Sequence, residues 1–412
     1  MEVLYECCCG IDVHAKMLVA CVVKQGKKAV RTFSTMTEDL VRLLDWLSQE
    51  GCTHVAIEST GVYWRPVFNI LEGTLDVILT NARDAKGYKA RKTDVIDAEW
   101  LADLLRHGLL KPSFIPPLPI RELRDLTRYR ESLVREQTAL ANRLQKLIES
   151  ANIKLGQVAS DALGVSGKLM LRALAAGETD TEQMSHLAQG LLKRKQPQLQ
   201  QALDGRFTSA QRWILGQLLD QYDQGEAALQ RVVERIGQEV ATTADPFVPE
   251  AVQLLDTIPG IGETVAQILV AEIGVEMDQF PTAHHLASWA GMCPGNQESA
   301  GKHKSGKTTK GSRYLRTALV QAAWAASHQK DTYLAAQYKR LVKRMGKKKA
   351  LIAVGHSILV IAYHVLQTRT PYQELGGDYF ARRNVDKQRK RLVRQLEALG
   401  VKVTIEEVQE AA

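Results

Sequence analysis

The chain has no CxxC pair. Its six cysteines, Cys7, Cys8, Cys9, Cys21, Cys52 and Cys293, follow no metal-ligand or disulfide spacing, and three in a row on an apolar run read as small core residues. No basic, cleavable leader is expected either, because Glu2 and Glu6 stand where such a leader would be cationic. A reduced, cytoplasmic protein is expected. Long apolar runs are scarce: residues 350–366 come nearest to the ~20 residues of a membrane span. That run is short and carries His356, Ser357 and His364, so a buried helix is expected there, and no membrane partner. Acid is nearly absent from one stretch. Residues 300–350 hold 14 Lys plus Arg against a single acid, Asp331, so this segment alone is more positive than the whole chain at +8. A solvated helix face is the bland explanation of a charge run, but a patch stronger than the net charge of its chain points to phosphate binding.

At 412 residues the chain exceeds what one core organises, and two or three domains are expected. Residues 5–110 alternate: apolar runs at 5–13, 17–23 and 29–33, a helical pattern at 38–49, a strand at 54–57, a helix at 62–71, a strand at 77–79 and a helix from Asp94 to His107. Three strands followed by alternating helices and strands suit a ribonuclease H-like α/β domain over 1–112. Three prolines in 113–119 mark a linker. A helical middle, 113–248, follows, in which Leu126, Leu133, Leu140 and Leu147 recur every seven residues with Leu123 and Leu144 on the neighbouring seam. Leu215, Tyr222, Leu229 and Ile236 repeat that spacing near 209–240, so a coiled coil is expected, either within one chain or between two. Residues 156–205 read as short helices without assignable chemistry. A mainly helical third region spans 249–376, and a charged tail 377–412.

Four acids carry the candidate chemistry. Asp12 and Glu58 end apolar runs, and Asp94 and Asp97 in KTDVIDA lie three apart on one helical face. Clustered carboxylates repel one another unless a cation lies among them, and phosphodiester chemistry uses divalent cations for that purpose. Asp94 also has a structural alternative as a helix N-cap. His14 falls on the same side of a strand as Asp12 and is left outside the candidate set. Farther along, TIPGIGETVAQILVAEIG (257–274) has the form of a helix-hairpin-helix, in which Gly260 and Gly262 would permit a tight turn and expose backbone N–H groups to a phosphate. An ordinary turn between packed helices is the alternative.

GIDVHAK around Asp12, ESTGVYW around Glu58, KTDVIDAEWLADLLRHG around Asp94 and Asp97, and PGIG followed by AGMCPGNQESAGKHKSGKTTKGSRYLR together resemble the DEDD transposases of bacterial insertion sequences. The resemblance is to the insertion-sequence one-ten family, most of all its eleven-eleven subgroup, and covers about 10–107 and 254–372. It implies a RuvC-like nuclease domain, a coiled-coil middle and a C-terminal domain bearing an essential serine. The four acids of that family map to Asp12, Glu58, Asp94 and Asp97, which would hold Mg²⁺ or Mn²⁺, and its serine maps to Ser299, five residues after Pro294. It further implies donor and target DNA and a structured guide RNA as partners. Ala300 departs from the glycine that commonly follows the serine.

A serine hydroxyl is a weak nucleophile without activation, and the one evident activator is the acidic metal site. The two domains would then have to meet over one phosphate, from one subunit or two, and a homo-oligomer, dimer or tetramer, is expected. Lys302, Lys304, Lys307, Lys310, Arg313 and Arg316 would stabilise the added negative charge. By chemistry alone Ser299 is a polar neighbour of Ser305 and Ser312, and His303 is a solvated histidine more readily than a proton shuttle. The function expected is an RNA-guided DNA transposase or recombinase. Its rivals are a hydrolytic RuvC-like nuclease or junction resolvase, a non-catalytic nucleic-acid-binding protein, and, last, an actin-like sugar kinase, which lacks the later glycine-rich phosphate loops. The basic tail near 382–394 either binds RNA or is solvated.

Overall fold

A computed structural model describes residues 2–59, 61–81, 93–295, 297–299, 302–382, 393–400 and 402–404, with the backbone alone at 297–299 and 302–305. It divides into two compact units, Met1–Ile115 and Pro116–Ala412.

The first unit is built on a five-stranded sheet of order β3-β2-β1-β4-β5, with β1 Cys7–Val13, β2 Met17–Lys24, β3 Lys27–Ser34, β4 His54–Glu58 and β5 Asp76–Thr80. The first three strands form an antiparallel meander, whereas β1, β4 and β5 are parallel, an arrangement compatible with the ribonuclease H-like expectation. Period-two alternation explains the layering. Cys9, Ile11 and Val13 of β1 point into the core beneath α1 Thr37–Glu50 and α2 Trp64–Leu71, with Leu43, Trp46, Leu47, Val67 and Leu71 packed on them. Cys8 and Gly10 point the other way, toward α3 Asp94–Arg106.

All six cysteines are free thiols; Cys8, Cys9, Cys21 and Cys52 are buried core residues, with burial pushing the Cys8 thiol up to about 12, while Cys7 and Cys293 are half-buried.

The second unit begins with α4 Leu118–Ser150. Short helices follow, α5 Leu155–Val158, α6 Val165–Ala176, α7 Thr181–His186, a 3-10 turn at Gly190–Lys195 and α8 Gln196–Leu203, and then the long α9 Ser209–Thr242. Near its end α4 comes close to the start of α9 (Gln211 Nε2 to Ser150 Oγ, 3.2 Å), and at its middle Gln137 Nε2 donates to Tyr222 O at 2.8 Å, so the two helices pair antiparallel within the chain. Gly225 makes room for Gln137, since a Cβ there would stand 2.7 Å from its amide nitrogen. The buried seam of α4 is Leu123, Thr127, Leu133, Leu144 and Ile148, while Leu126, Leu140 and Leu147 are half-buried. Of the seven-residue leucine row only Leu133 is in the buried seam, whereas both residues of the neighbouring row, Leu123 and Leu144, are buried. Residues 155–203 form a small core with the ends of both long helices, from Leu155, Met170, Leu174 and Leu199 against Leu144, Ile148, Leu215 and Leu219.

The remaining elements are α10 Phe247–Asp256, α11 Glu263–Ile273, α12 Ala283–Trp289, a hairpin of β6 Gln297–Ser299 and β7 Lys302–Ser305, then α13 Arg313–Ser327, α14 Tyr333–Met345, α15 Lys347–Thr368 and α16 Tyr379–Arg382. Among the described residues α15 alone is long and apolar enough to cross a membrane. It packs against α10, α12, α13 and α14, and buries Val354, Ile358, Leu359, Ala362 and Leu366, so it is a core helix.

Candidate active site

The site in the first unit follows from one missing side chain. A Cβ on Gly10 would lie 2.3 Å from both Ala102 N and Ala98 O, so only glycine lets α3 lie flat on the middle strand. Ala98 and Ala102 continue that close face against Val19, Cys21 and Val23 of β2. The helix N-terminus is thereby fixed over the C-terminal end of β1. Thr93 is the N-cap, its hydroxyl accepting from Ile96 N at 3.3 Å, so Asp94 is not the cap and its carboxylate stays at the site.

Asp12 lies two residues beyond Gly10 on the face that carries α3. The parallel pairing of β1 with β4 ends at Ile11 opposite Ile57, so Asp12 and Glu58 are the next residues at the same end of adjacent strands. The Asp12 carboxylate is 13% exposed, and its Oδ2 lies 3.2 Å from His14 Nε2, which in turn lies 3.3 Å from Asp94 Oδ1. One ligand atom from each of Asp12, His14 and Asp94 fits within 4.8 Å of the others. Burial raises the Asp12 carboxyl above its ordinary range, His14 pulls it back, and Asp97, Asp94 and Glu58 push it up further. Of the four acids expected from sequence, Asp12 and Asp94 share this cluster with His14, while Asp97 and Glu58 lie outside it and act on the Asp12 carboxyl through their charge. Two carboxylate oxygens and an imidazole nitrogen form a donor set suited to a hard or borderline divalent ion, and the Asp12 carboxyl, raised first by burial and then by its acidic neighbours, is a group whose charge such an ion would compensate.

His14 was set aside in the sequence and belongs here. Its signal was parity: residues 12 and 14 share a strand face, and the helix supplying Asp94 covers that face.

In the second unit Ser299 ends β6 and pairs with Lys302 of β7, which sets it at the tip of the hairpin. The side chains of Ser299, Lys302 and Lys304 lie outside the described residues, as does most of the basic tail. The root of the hairpin is tightly tied. Gly295 N donates to Lys307 O at 2.8 Å, and Arg316 Nη2 donates to Gly291 O and Thr309 O, each at 2.6 Å. Arg316 thus anchors the loop that carries Lys307 and Lys310, both exposed. Exposed Arg313 donates to Tyr314 Oη at 2.9 Å.

The turn between α10 and α11 contains Gly260 at φ +89°, whose missing side chain lets Ala322 O of α13 approach within 2.3 Å of the Cβ position. Gly260 therefore has a packing reason for being glycine. Gly262 is exposed and precedes α11 as its N-cap.

A buried ion pair escaped the sequence reading. Glu272, 2% exposed in its side chain, receives both Nε and Nη2 of Arg128 at 2.7 and 3.0 Å and the hydroxyl of Ser312 at 2.9 Å. Burial would lower the Arg128 guanidinium, but the hydrogen bond and charge of Glu272 hold it above its ordinary value. Arg124 adds bonds to Ala271 O and Glu272 O, both at 2.8 Å. The long helix α4 is thus clamped to α11 and to Ser312, the N-cap of α13. An acid inside the apolar run ILVAEIG was the available signal, and its Arg128 partner lies 144 residues away.

Residues 9–153 match a DEDD transposase model of the IS110 type, and residues 252–339 match the Transposase IS116/IS110/IS902 family. The chain is 22% identical over 376 residues to the transposase for insertion sequence element IS1111A of Coxiella burnetii, covering 88% of this chain and 90% of that one. A putative transposase of Sinorhizobium fredii is 28% identical over 281 residues, 65% of each chain. The pilin gene-inverting protein of Moraxella bovis is 34% identical over 136 residues, 31% of this chain and 41% of its own length. A second such protein, from Moraxella lacunata, matches over 38% of its length, so these two relatives are covered across about two fifths.

Proposed function

The chain belongs to the IS110 family of DEDD transposases, and from that premise we propose that it cuts and rejoins DNA with a carboxylate-held divalent cation and a serine nucleophile. The observation that carries this reading is the convergence of Asp94, His14 and Asp12, with Asp97 and Glu58 both acting on the Asp12 carboxyl. Asp12, Glu58, Asp94 and Asp97 are the proposed holders of Mg²⁺, with Mn²⁺ as an equivalent. The cation, when bound, supplies charge stabilisation for the phosphate and its oxygens.

Asp12 is held rigidly by the middle strand and is deprotonated when a cation is present. Ser299 Oγ is the proposed nucleophile. Its bond to phosphorus forms as the bond from phosphorus to the departing sugar oxygen breaks; the serine proton leaves to a base and the sugar oxygen takes a proton. The phosphoserine link conserves one ester for the rejoining step. Lys302, Lys304, Lys307, Lys310 and Arg313 are proposed phosphate contacts, with Arg316 holding their loop. In the same reading the Gly260–Gly262 turn is a helix-hairpin-helix, α4 with α9 a coiled coil, the first unit RuvC-like, the working form a homo-oligomer, and a structured RNA the guide.

Two measurements test it. Mn²⁺ binding followed by electron paramagnetic resonance should give a bound signal that Asp12→Ala abolishes. Strand exchange on matched DNA should be lost in Ser299→Ala while that signal persists. Exchange at the wild-type rate in Ser299→Ala would remove the serine from the mechanism.

A further inference from the structure

Between Asp331 and Glu374 the sequence has no acid at all. Within that interval the end of α14 presents exposed Lys339, Arg340, Lys343 and Arg344, and after the Gly346 turn α15 opens with exposed Lys347, Lys348 and Lys349. Among the described residues none of these seven has an ion-pair partner; Arg340 stacks on Phe380 at 4.2 Å. The arrangement is unfavourable for the protein by itself. Lys339 with Lys343, and Arg340 with Arg344, are like charges one turn apart. Three lysines occupy the first turn of α15, where the helix dipole disfavours cations, and its N-cap, Gly346, supplies no side-chain cap.

The corner has a defined place in the unit. Gly355 of α15 sits where a Cβ would meet Met292 Cε at 3.0 Å and Leu319 O at 3.2 Å, and Met292 lies two residues before Pro294 at the root of the serine hairpin. At the opposite end of α15, Arg369 covers Phe247 at 4.1 Å and Tyr372 N donates to Thr257 Oγ1 at 2.9 Å. The helix therefore runs from the hairpin root toward the α10–α11 turn. Its lysine end lies about 12 Å along the axis before Gly355.

We infer that the α14–α15 corner is a second phosphate-backbone contact, which holds the DNA duplex flanking the phosphodiester addressed by the serine hairpin. The inference rests on the proposed function for the identity of that DNA, and on the charge arrangement alone for phosphate binding. Contact with the backbone removes the like-charge repulsion and carries no base preference.

The test is fluorescence anisotropy of the full chain with a labelled duplex in EDTA, so that binding is read without chemistry. Replacing Lys347, Lys348 and Lys349 by Gln should lower the slope of log affinity against log salt by about 2.7, near 0.9 per lost contact. The wild-type advantage should shrink by roughly 40-fold between 50 and 200 mM salt. Unrelated duplex sequences should respond alike. Lys193→Gln with Arg194→Gln, an exposed basic pair elsewhere in the unit, should leave the slope unchanged. The triple variant should melt no lower than wild type, which separates lost contact from misfolding. An unchanged slope, or a change seen with RNA and not with duplex DNA, would overturn the inference. Ser299→Ala retaining wild-type exchange would overturn the proposed function and leave this slope where it was.

Discussion

Gly10→Ala is the smallest change that should separate the two halves of the acidic site. The new Cβ would lie 2.3 Å from Ala98 O and Ala102 N, where ordinary contact begins near 3.4 Å. Both obstructing atoms are backbone, so no side chain can swing aside, and α3 must move away from β1 by about 1 Å. Asp94 and Asp97 ride on that helix, whereas Asp12 and Glu58 stay with the sheet. Overpacking of this kind costs about 1–3 kcal/mol, or a drop in melting temperature on the order of 5–10 °C for a unit of this size. A 1 Å misplacement of reacting groups costs roughly 100-fold in rate. Thermal melting and a strand-exchange assay should therefore both report the change, with activity falling further than folding at a temperature where the variant is still native. Gly237→Ala on α9 is the control: nothing lies within 4 Å of its Cβ position, and the helix should be unchanged or more stable by about 0.5–1 kcal/mol. Wild-type melting and wild-type exchange in Gly10→Ala would refute the claim that helix–strand contact sets the acid spacing.

Three further outcomes follow from the same geometry. Because the folded state holds the Asp12 proton more tightly than the unfolded chain, stability without metal is lost as pH rises from about 3.8 through the raised value. Asp12→Asn in EDTA should thus melt above wild type at pH 7, the gap closing toward pH 4; a gap independent of pH would contradict this. Glu272→Ala leaves half-buried Arg128 without its carboxylate and the Ser312 hydroxyl without its acceptor, and should cost about 1–3 kcal/mol in chemical denaturation, whereas a loss within 0.5 kcal/mol would show the pair to be incidental. Thr93→Ala removes the α3 cap and should cost about 1 kcal/mol, together with weaker Mn²⁺ binding if the helix start frays.

The sheet and the approach of Asp94 to Asp12 were legible because both follow local rules. Short apolar runs wrote the five strands, and the Asp94/Asp97 spacing wrote a shared helical face. What sequence hid was contact between distant residues. Gly10 shows why it must be glycine only once Ala98 and Ala102 are seen over it, and Gly260 gains a packing role from Ala322 that its turn motif alone does not show. The seven-residue leucine row on α4 marked a helix correctly but only part of its buried seam, because Leu133, Thr127 and Ile148 lie inside while Leu126, Leu140 and Leu147 are half-buried. The Glu272–Arg128 pair could not be assigned by spacing, since nothing local joins the two.

The central claim is that one phosphoserine intermediate depends on four carboxylates. The direct measurement is to incubate the full chain with Mg²⁺, the proposed guide RNA and matched DNA, then resolve covalent protein–DNA species on a denaturing gel and map them by mass spectrometry. The account predicts an adduct on Ser299 that is absent in Asp12→Ala and in Asp94→Ala. Cleaved DNA with no adduct would contradict it and make the protein a hydrolytic nuclease.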